Sequence, residues 1–120
     1  MAIALDLKED TPSQGPWTVA IRGEIDLYTA PALREAFDRA VSAGKEVVLD
    51  LSGTEFIDST GLGVLVDGHR RLQEAGGRLV VVSTHPAIAR TLEITVLDRV
   101  LELTGTVDEA RAALTEPQSR

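Results

Sequence analysis

The chain has 120 residues and a mass of 12.8 kDa, the size of one domain, and at that length folding buries roughly two-thirds of the unfolded surface. Leu, Val and Ile supply 15, 12 and 6 residues against one Trp, one Tyr and two Phe, so the core is aliphatic; the absence of Cys excludes thiol nucleophiles, Cys-type zinc sites and disulfides, and two His leave little for a metal cluster. Twelve Lys plus Arg against nineteen Asp plus Glu give a net charge of −7, which repels phosphate backbones and anionic lipid, so neither nucleic acid nor membrane is expected as a partner.

The start, MAIALDLKED, has no basic segment followed by an apolar one, and no apolar run approaches the about 18 residues of a membrane span. A soluble cytoplasmic protein is expected, with one domain over residues 1–120 and a core continuous from about Ile3 to about Leu114. Ile3, Leu5 and Leu7 alternate with small or polar residues in the two-residue period of a half-buried strand, and Trp17, Val19 and Ile21 repeat it. Asp10 to Pro16 holds two prolines, a glycine and a serine, so the two strands read as a hairpin, the second ending at Gly23.

Pro31 suits the first turn of a helix capped at Thr29 or Ala30, and Leu33, Phe37, Ala40 and Val41 keep helical spacing until Gly44. Val47 to Leu51 is a β-branched and leucine run, a strand buried on both faces. From Ser59 a helical stripe of Leu62, Leu65, Val66, His69 and Leu72 runs to Gly76 and Gly77. Leu79 to Val82 is another buried strand, Pro86 opens a helix through about Glu93, Val100 to Leu103 form a last strand, and Val107, Ala110, Arg111 and Leu114 fit a closing helix. The order ββαβαβαβα defines an α/β fold, a mostly parallel sheet with an N-terminal hairpin. Its parallel strands bring the loops carrying Glu24 to Tyr28, Thr54 to Ser59 and Ser83 to Pro86 to one sheet edge, where open α/β sheets place function.

Val47 to Val66 runs from a buried strand into a helix that begins Ser59-Thr60-Gly61, with Ser59 a natural N-cap. Gly61, Gly63 and Gly68 each cost about 0.8 to 1.0 kcal/mol relative to alanine inside a helix. Gly68 fits close packing on the sheet, whereas Gly61 and Gly63, beside two hydroxyls, point to close approach by a partner. Glu24 and Asp26 read equally as turn residues or as site residues. Trp17 covers the sheet, His69 is a half-buried helix residue, and Arg70 and Arg71 suit solvent and the helix dipole.

Gly23-Glu24-Ile25-Asp26, Val47-Val48-Leu49-Asp50-Leu51 and above all Asp58-Ser59-Thr60-Gly61-Leu62-Gly63 resemble the STAS domains of bacterial anti-sigma-factor antagonists, over nearly the whole chain. The resemblance implies a non-enzymatic, cofactor-free switch whose unmodified form binds an anti-sigma factor that is also a serine kinase, releasing a sigma factor. Phosphorylation at Ser59, with Thr60 secondary, ends the binding, and a serine phosphatase restores it. Glu24, Asp26, Asp58, Ser59, Thr60, Gly61 and Gly63 are then the partner-binding positions. An alternative within the family is a stressosome-type scaffold or a small-ligand or nucleotide-binding sensor.

Two positions depart from the family pattern. Ile94, Thr95 and Val96 stand where a glycine usually follows the third helix, so that helix end lacks its expected left-handed residue, and His85 takes a cap position more often held by a small polar residue. A hydrolase triad of Ser59, His85 and Asp26 or Asp58 lacks the G-x-S-x-G elbow. A dinucleotide site at Gly61 and Gly63 lacks the third glycine, replaced by Val66, and the ribose-binding acid, where Val80 to Val82 stand.

Overall fold

A computed structural model describes residues 5–115, so the expected strand residue Ile3 lies outside the described residues. The elements run β1 Leu5–Asp10, β2 Trp17–Ile25, α1 Ala30–Ala43, β3 Val47–Ile57, α2 Ser59–Glu74, β4 Leu79–Val82, α3 Pro86–Ile94, a 3-10 turn Leu97–Arg99, β5 Glu102–Thr104 and α4 Val107–Thr115. The five strands lie side by side in chain order, β1 antiparallel to β2 and all the others parallel. That is the expected architecture. Among the described residues no helix is long and apolar enough to cross a membrane.

Two layers cover the sheet unequally. On one face Val19, Ile21, Ile25, Val47, Leu49, Leu51 and Ile57 meet α1, α2 and α3 through Leu33, Phe37, Val64, Leu65, Leu72, Ile88 and Leu92. On the other, Val48, Val80 and Val82 pack against Ala110 and Leu114 of α4, with Val107 beside them. The alternate burial of β3 on both faces explains its unbroken apolar run. Arg78 fastens α4 down, donating 2.8 and 2.6 Å bonds to Glu102 and a 2.9 Å bond to the Ala113 carbonyl.

Three boundaries differ from those read in the sequence. β2 continues past Gly23 to Ile25, because Gly23 at φ 104 sits within a strand irregularity instead of closing the strand. β3 continues to Ile57. The last strand begins at Glu102, since the amides of Val100 and Leu101 turn back to the Leu97 carbonyl at 3.0 and 2.8 Å. The end of α3 also corrects an expectation: a left-handed residue is present, and it is Val96, at φ 64 and ψ 12. Its amide bonds the Glu93 carbonyl at 3.0 Å, closing α3 as a glycine would.

Candidate functional site

The end of β3 is shaped by two extra residues. Ala20 pairs with Asp50 and Arg22 with Gly53, and then Gly23 pairs with Thr54 and Glu24 with Phe56, so β3 gains one residue on β2 at each step. Such bulges bend a strand, increase its twist and re-aim side chains. Between them Thr54 is fully buried and its hydroxyl donates to the Ile21 carbonyl at 2.9 Å, fixing the two strands where the register slips. The second bulge leaves Glu55 and Phe56 both exposed and returns Ile57 to the core beside Ile25.

A single residue then joins strand to helix. Asp58, extended at φ −97 and ψ −175, donates its amide to the Ile25 carbonyl at 3.0 Å, accepts the Gly61 amide on its carboxylate at 3.0 Å, and accepts the Leu62 amide on its carbonyl at 2.9 Å. Asp58 is therefore the N-cap, in place of the expected Ser59. Both residue types cap well; the backbone turns helical one position earlier than a Ser59 cap would set it. Ser59 becomes the first helical residue, exposed to solvent, with Thr60 half-buried behind it. Among the described residues the amides of Ser59 and Thr60 donate to no protein acceptor, which leaves two N–H groups and the positive end of α2 facing outward.

The glycines separate into two kinds. A Cβ on Gly61 would stand 2.7 Å from both Ile25 Cγ2 and Ile57 Cγ1, and one on Gly68 would stand 2.6 Å from the Phe37 ring, so both glycines serve close packing inside the domain. For Gly61 this overturns the expectation of approach by a partner, because the residue is buried against the sheet. The Gly61 amide is also taken by the Asp58 carboxylate, so it offers no free N–H to a phosphate. Gly63 is exposed with nothing within 4 Å of its missing Cβ.

Asp26 and Glu24 divide likewise. The Asp26 carboxylate accepts from the amides of Tyr28 and Thr29 at 2.9 and 3.1 Å, and its own amide donates to the Thr29 hydroxyl at 2.9 Å. That hydroxyl in turn donates to the Glu24 carbonyl at 2.8 Å, so Asp26 builds the β2–α1 turn. Glu24 is exposed, and its carboxylate has no hydrogen bond among the described residues. The turn holds Leu27 and Tyr28 outward at 62% and 86% exposure, and Phe56 is 50% exposed across from Glu24. These three apolar residues were not among the site residues read from the sequence.

The Ser83 to Pro86 loop does not reach this place by strand pairing. β4 pairs β3 only as far as Val82 opposite Asp50, while β3 and β2 continue together to Ile57 and Ile25, so the β4 loop leaves the sheet at a lower level than the other two. His85 caps α3, its Nδ1 accepting from the Ala87 amide at 3.2 Å. The groups a hydrolase triad would need are thus held in separate structural tasks, Asp58 and His85 in helix caps and Asp26 in a turn. Among the described residues no three His, Asp or Glu side chains are placed to hold a metal ion. An open depression of about 520 Å³ lies elsewhere, lined by Trp17, Asp38, Arg39, Ser42 and Ala43 at the start of β2 and the C-terminal half of α1.

The sheet order, the capped α2 and the glycine-bearing first turn define a known class, and the STAS domain family profile matches residues 9–110. The chain belongs to the STAS family. Within it, the chain is 35% identical over 105 residues to the anti-sigma-B factor antagonist of Listeria monocytogenes, covering 86% of this chain and 90% of that protein. It is 32% identical over 105 residues to the anti-sigma-B factor antagonist of Bacillus subtilis, covering 88% and 94%. An anti-sigma factor antagonist from Mycobacterium paratuberculosis has the same fold at a TM-score of 0.84 and 34% identity, covering 93% of this chain and 95% of that one.

Proposed function

We propose that the protein is an anti-sigma-factor antagonist working in the cytoplasm: unmodified, it binds an anti-sigma factor and so frees a sigma factor, and phosphorylation of Ser59 by that partner's serine kinase activity ends the binding. A serine phosphatase resets it. The protein acts by occupancy, with no reaction of its own. The observation that carries this reading is the solvent-exposed Ser59 hydroxyl at the first helical position of α2, fixed by the Asp58 cap, in a chain whose relatives bear the antagonist name.

Phosphate at Ser59 is compatible with the fold. It would face the unpartnered amides of Ser59 and Thr60 and the helix dipole, an interaction worth about 0.3 to 1 kcal/mol. It would also add about −1.5 to −2 charges where Glu24, Glu55 and Asp58 already make the surface acidic, repelling a partner fitted to the unmodified form. Gly63 lies one turn beyond Ser59, and its bare backbone gives the partner a place to approach closely.

The test uses purified anti-sigma factor from the same genome and ATP, read by intact mass. Wild type should gain one phosphate, and Ser59→Ala should gain none or gain one slowly at Thr60. In calorimetry Ser59→Ala should bind the partner and stay bound when ATP is present, while phosphorylated wild type should bind at least a hundredfold more weakly, with unchanged circular dichroism. Labelling of Ser59→Ala at the wild-type rate would refute the acceptor assignment. Equal affinity of both forms would refute the switch.

A further inference from the structure

Ile94, Val96 and Val100 are 66%, 53% and 50% exposed, and all three lie where α3 gives way to the 3-10 turn. The backbone there is folded tightly. The Val96 amide donates to the Glu93 carbonyl at 3.0 Å, the Arg99 amide to the Val96 carbonyl at 3.2 Å, and the Val100 amide to the Leu97 carbonyl at 3.0 Å, so the three apolar residues share one compact turn. Leu97 alone among them packs against the core. Val96 is also the one non-glycine residue with positive φ among the described residues, and a β-branched side chain in that region is a steric outlier. Strain of this kind persists where other interactions offset it. Glycine would take the same conformation freely, and half of the Val96 side chain meets solvent, so the free domain makes little use of it.

The charges at this turn balance, unlike those of the chain. Arg90, Glu93, Asp98 and Arg99 are exposed around the three apolar residues and sum to zero, against −7 for the whole chain. Among the described residues none of these four side chains forms an ion pair, although Arg39, Arg70, Arg71, Arg78 and Arg111 all do. We propose that this turn is where a second copy of the chain docks, in a two-fold dimer that packs Ile94, Val96 and Val100 together and sets Arg90 and Arg99 of each copy against Glu93 and Asp98 of the other. A surface carrying both charges in equal number is complementary to itself across a two-fold axis, whereas two acidic surfaces repel. The turn precedes β5, which runs parallel to β4 and β3, so it lies at the end of the sheet opposite to the one from which Ser59 follows. Docking there leaves both Ser59 surfaces free, and the dimer stands or falls independently of the partner-switching reading. Three apolar side chains and four charges cover less than the about 800 Å² per partner of a standard interface, so the dimer is weak and forms as concentration rises.

Sedimentation equilibrium of the purified chain from about 10 µM to about 1 mM, in about 0.15 M salt to screen the overall repulsion, tests the assignment. Wild type should rise from the 12.8 kDa monomer towards twice that mass, with Kd on the order of 0.1 mM. Two double variants carry the charge test. Glu93→Arg with Asp98→Arg makes the turn wholly basic, and Arg90→Glu with Arg99→Glu makes it wholly acidic. Each alone should stay monomeric across the range, the first even though its net charge is closer to zero, and an equal mixture of the two should associate. That recovery also shows that both variants are folded. Val96→Gly, which relieves the strain but removes the side chain, should raise Kd about fivefold or more. Wild type that remains monomeric at about 1 mM would overturn the proposal. So would self-association that survives in both charge variants, or a mixture of them that stays monomeric.

Discussion

Asp58 and Ser59 are adjacent hydroxyl- or carboxylate-bearing residues, and only one of them holds the helix. Asp58→Ala should cost about 0.5 to 2 kcal/mol, the usual range for a lost N-cap. Ser59→Ala should stay within about 0.5 kcal/mol of wild type, as exposed substitutions do. Urea titrations of the two variants separate them, and the reverse order would restore Ser59 as the cap. Val96 offers a gain at the other end of the molecule. A left-handed conformation costs an L-residue roughly 1 to 2 kcal/mol, more than the about 0.5 to 1 kcal/mol of extra chain entropy that glycine loses, and the Val96 side chain is half exposed. Val96→Gly should therefore raise stability by about 0.5 to 1 kcal/mol, seen as a higher melting temperature; a lower one would mean the valine's contacts outweigh its strain.

At the scale of the element, α2 carries glycines with opposite meanings. Gly63→Ala should stabilise the free domain by about 0.8 to 1.0 kcal/mol, since the new methyl group meets nothing, yet weaken the partner complex. Gly61→Ala and Gly68→Ala should each lose about 1 to 3 kcal/mol through overpacking against Ile25, Ile57 and the Phe37 ring. Denaturant midpoints of the three variants check the split, and a destabilised Gly63→Ala would remove the reason for its bare backbone. The sequence set Gly68 apart but could not separate Gly61 from Gly63, because their difference lies in which side of the helix meets β2 and β3. What was legible was everything set by local period and punctuation: the hairpin, the four helices with α2 starting at Ser59, and the buried runs Val47 to Leu51 and Leu79 to Val82. The second half of β3 was not legible, since its two bulges break the alternation that marks a strand. Leu27, Tyr28 and Phe56 escaped because an apolar residue in a sequence reads as core until its surroundings are known.

For the whole molecule, the charge of −7 acts at a distance that single contacts do not reach. Association with a cationic partner should slow about tenfold or more between about 0.05 and about 0.5 M salt, as the screening length shrinks below about 5 Å, while dissociation changes far less. Stopped-flow rates at several salt concentrations test this, and a salt-independent association rate would exclude electrostatic steering. With one residue between β3 and α2, a group on Ser59 has no slack in which to swing and no hinge to drive. On the proposed reading, with Ser59 as acceptor, the signal would be written as occupancy of a fixed point. Its response time would then be set by collision and release of two proteins, not by a rearrangement within this one, and its memory would last as long as the phosphoester.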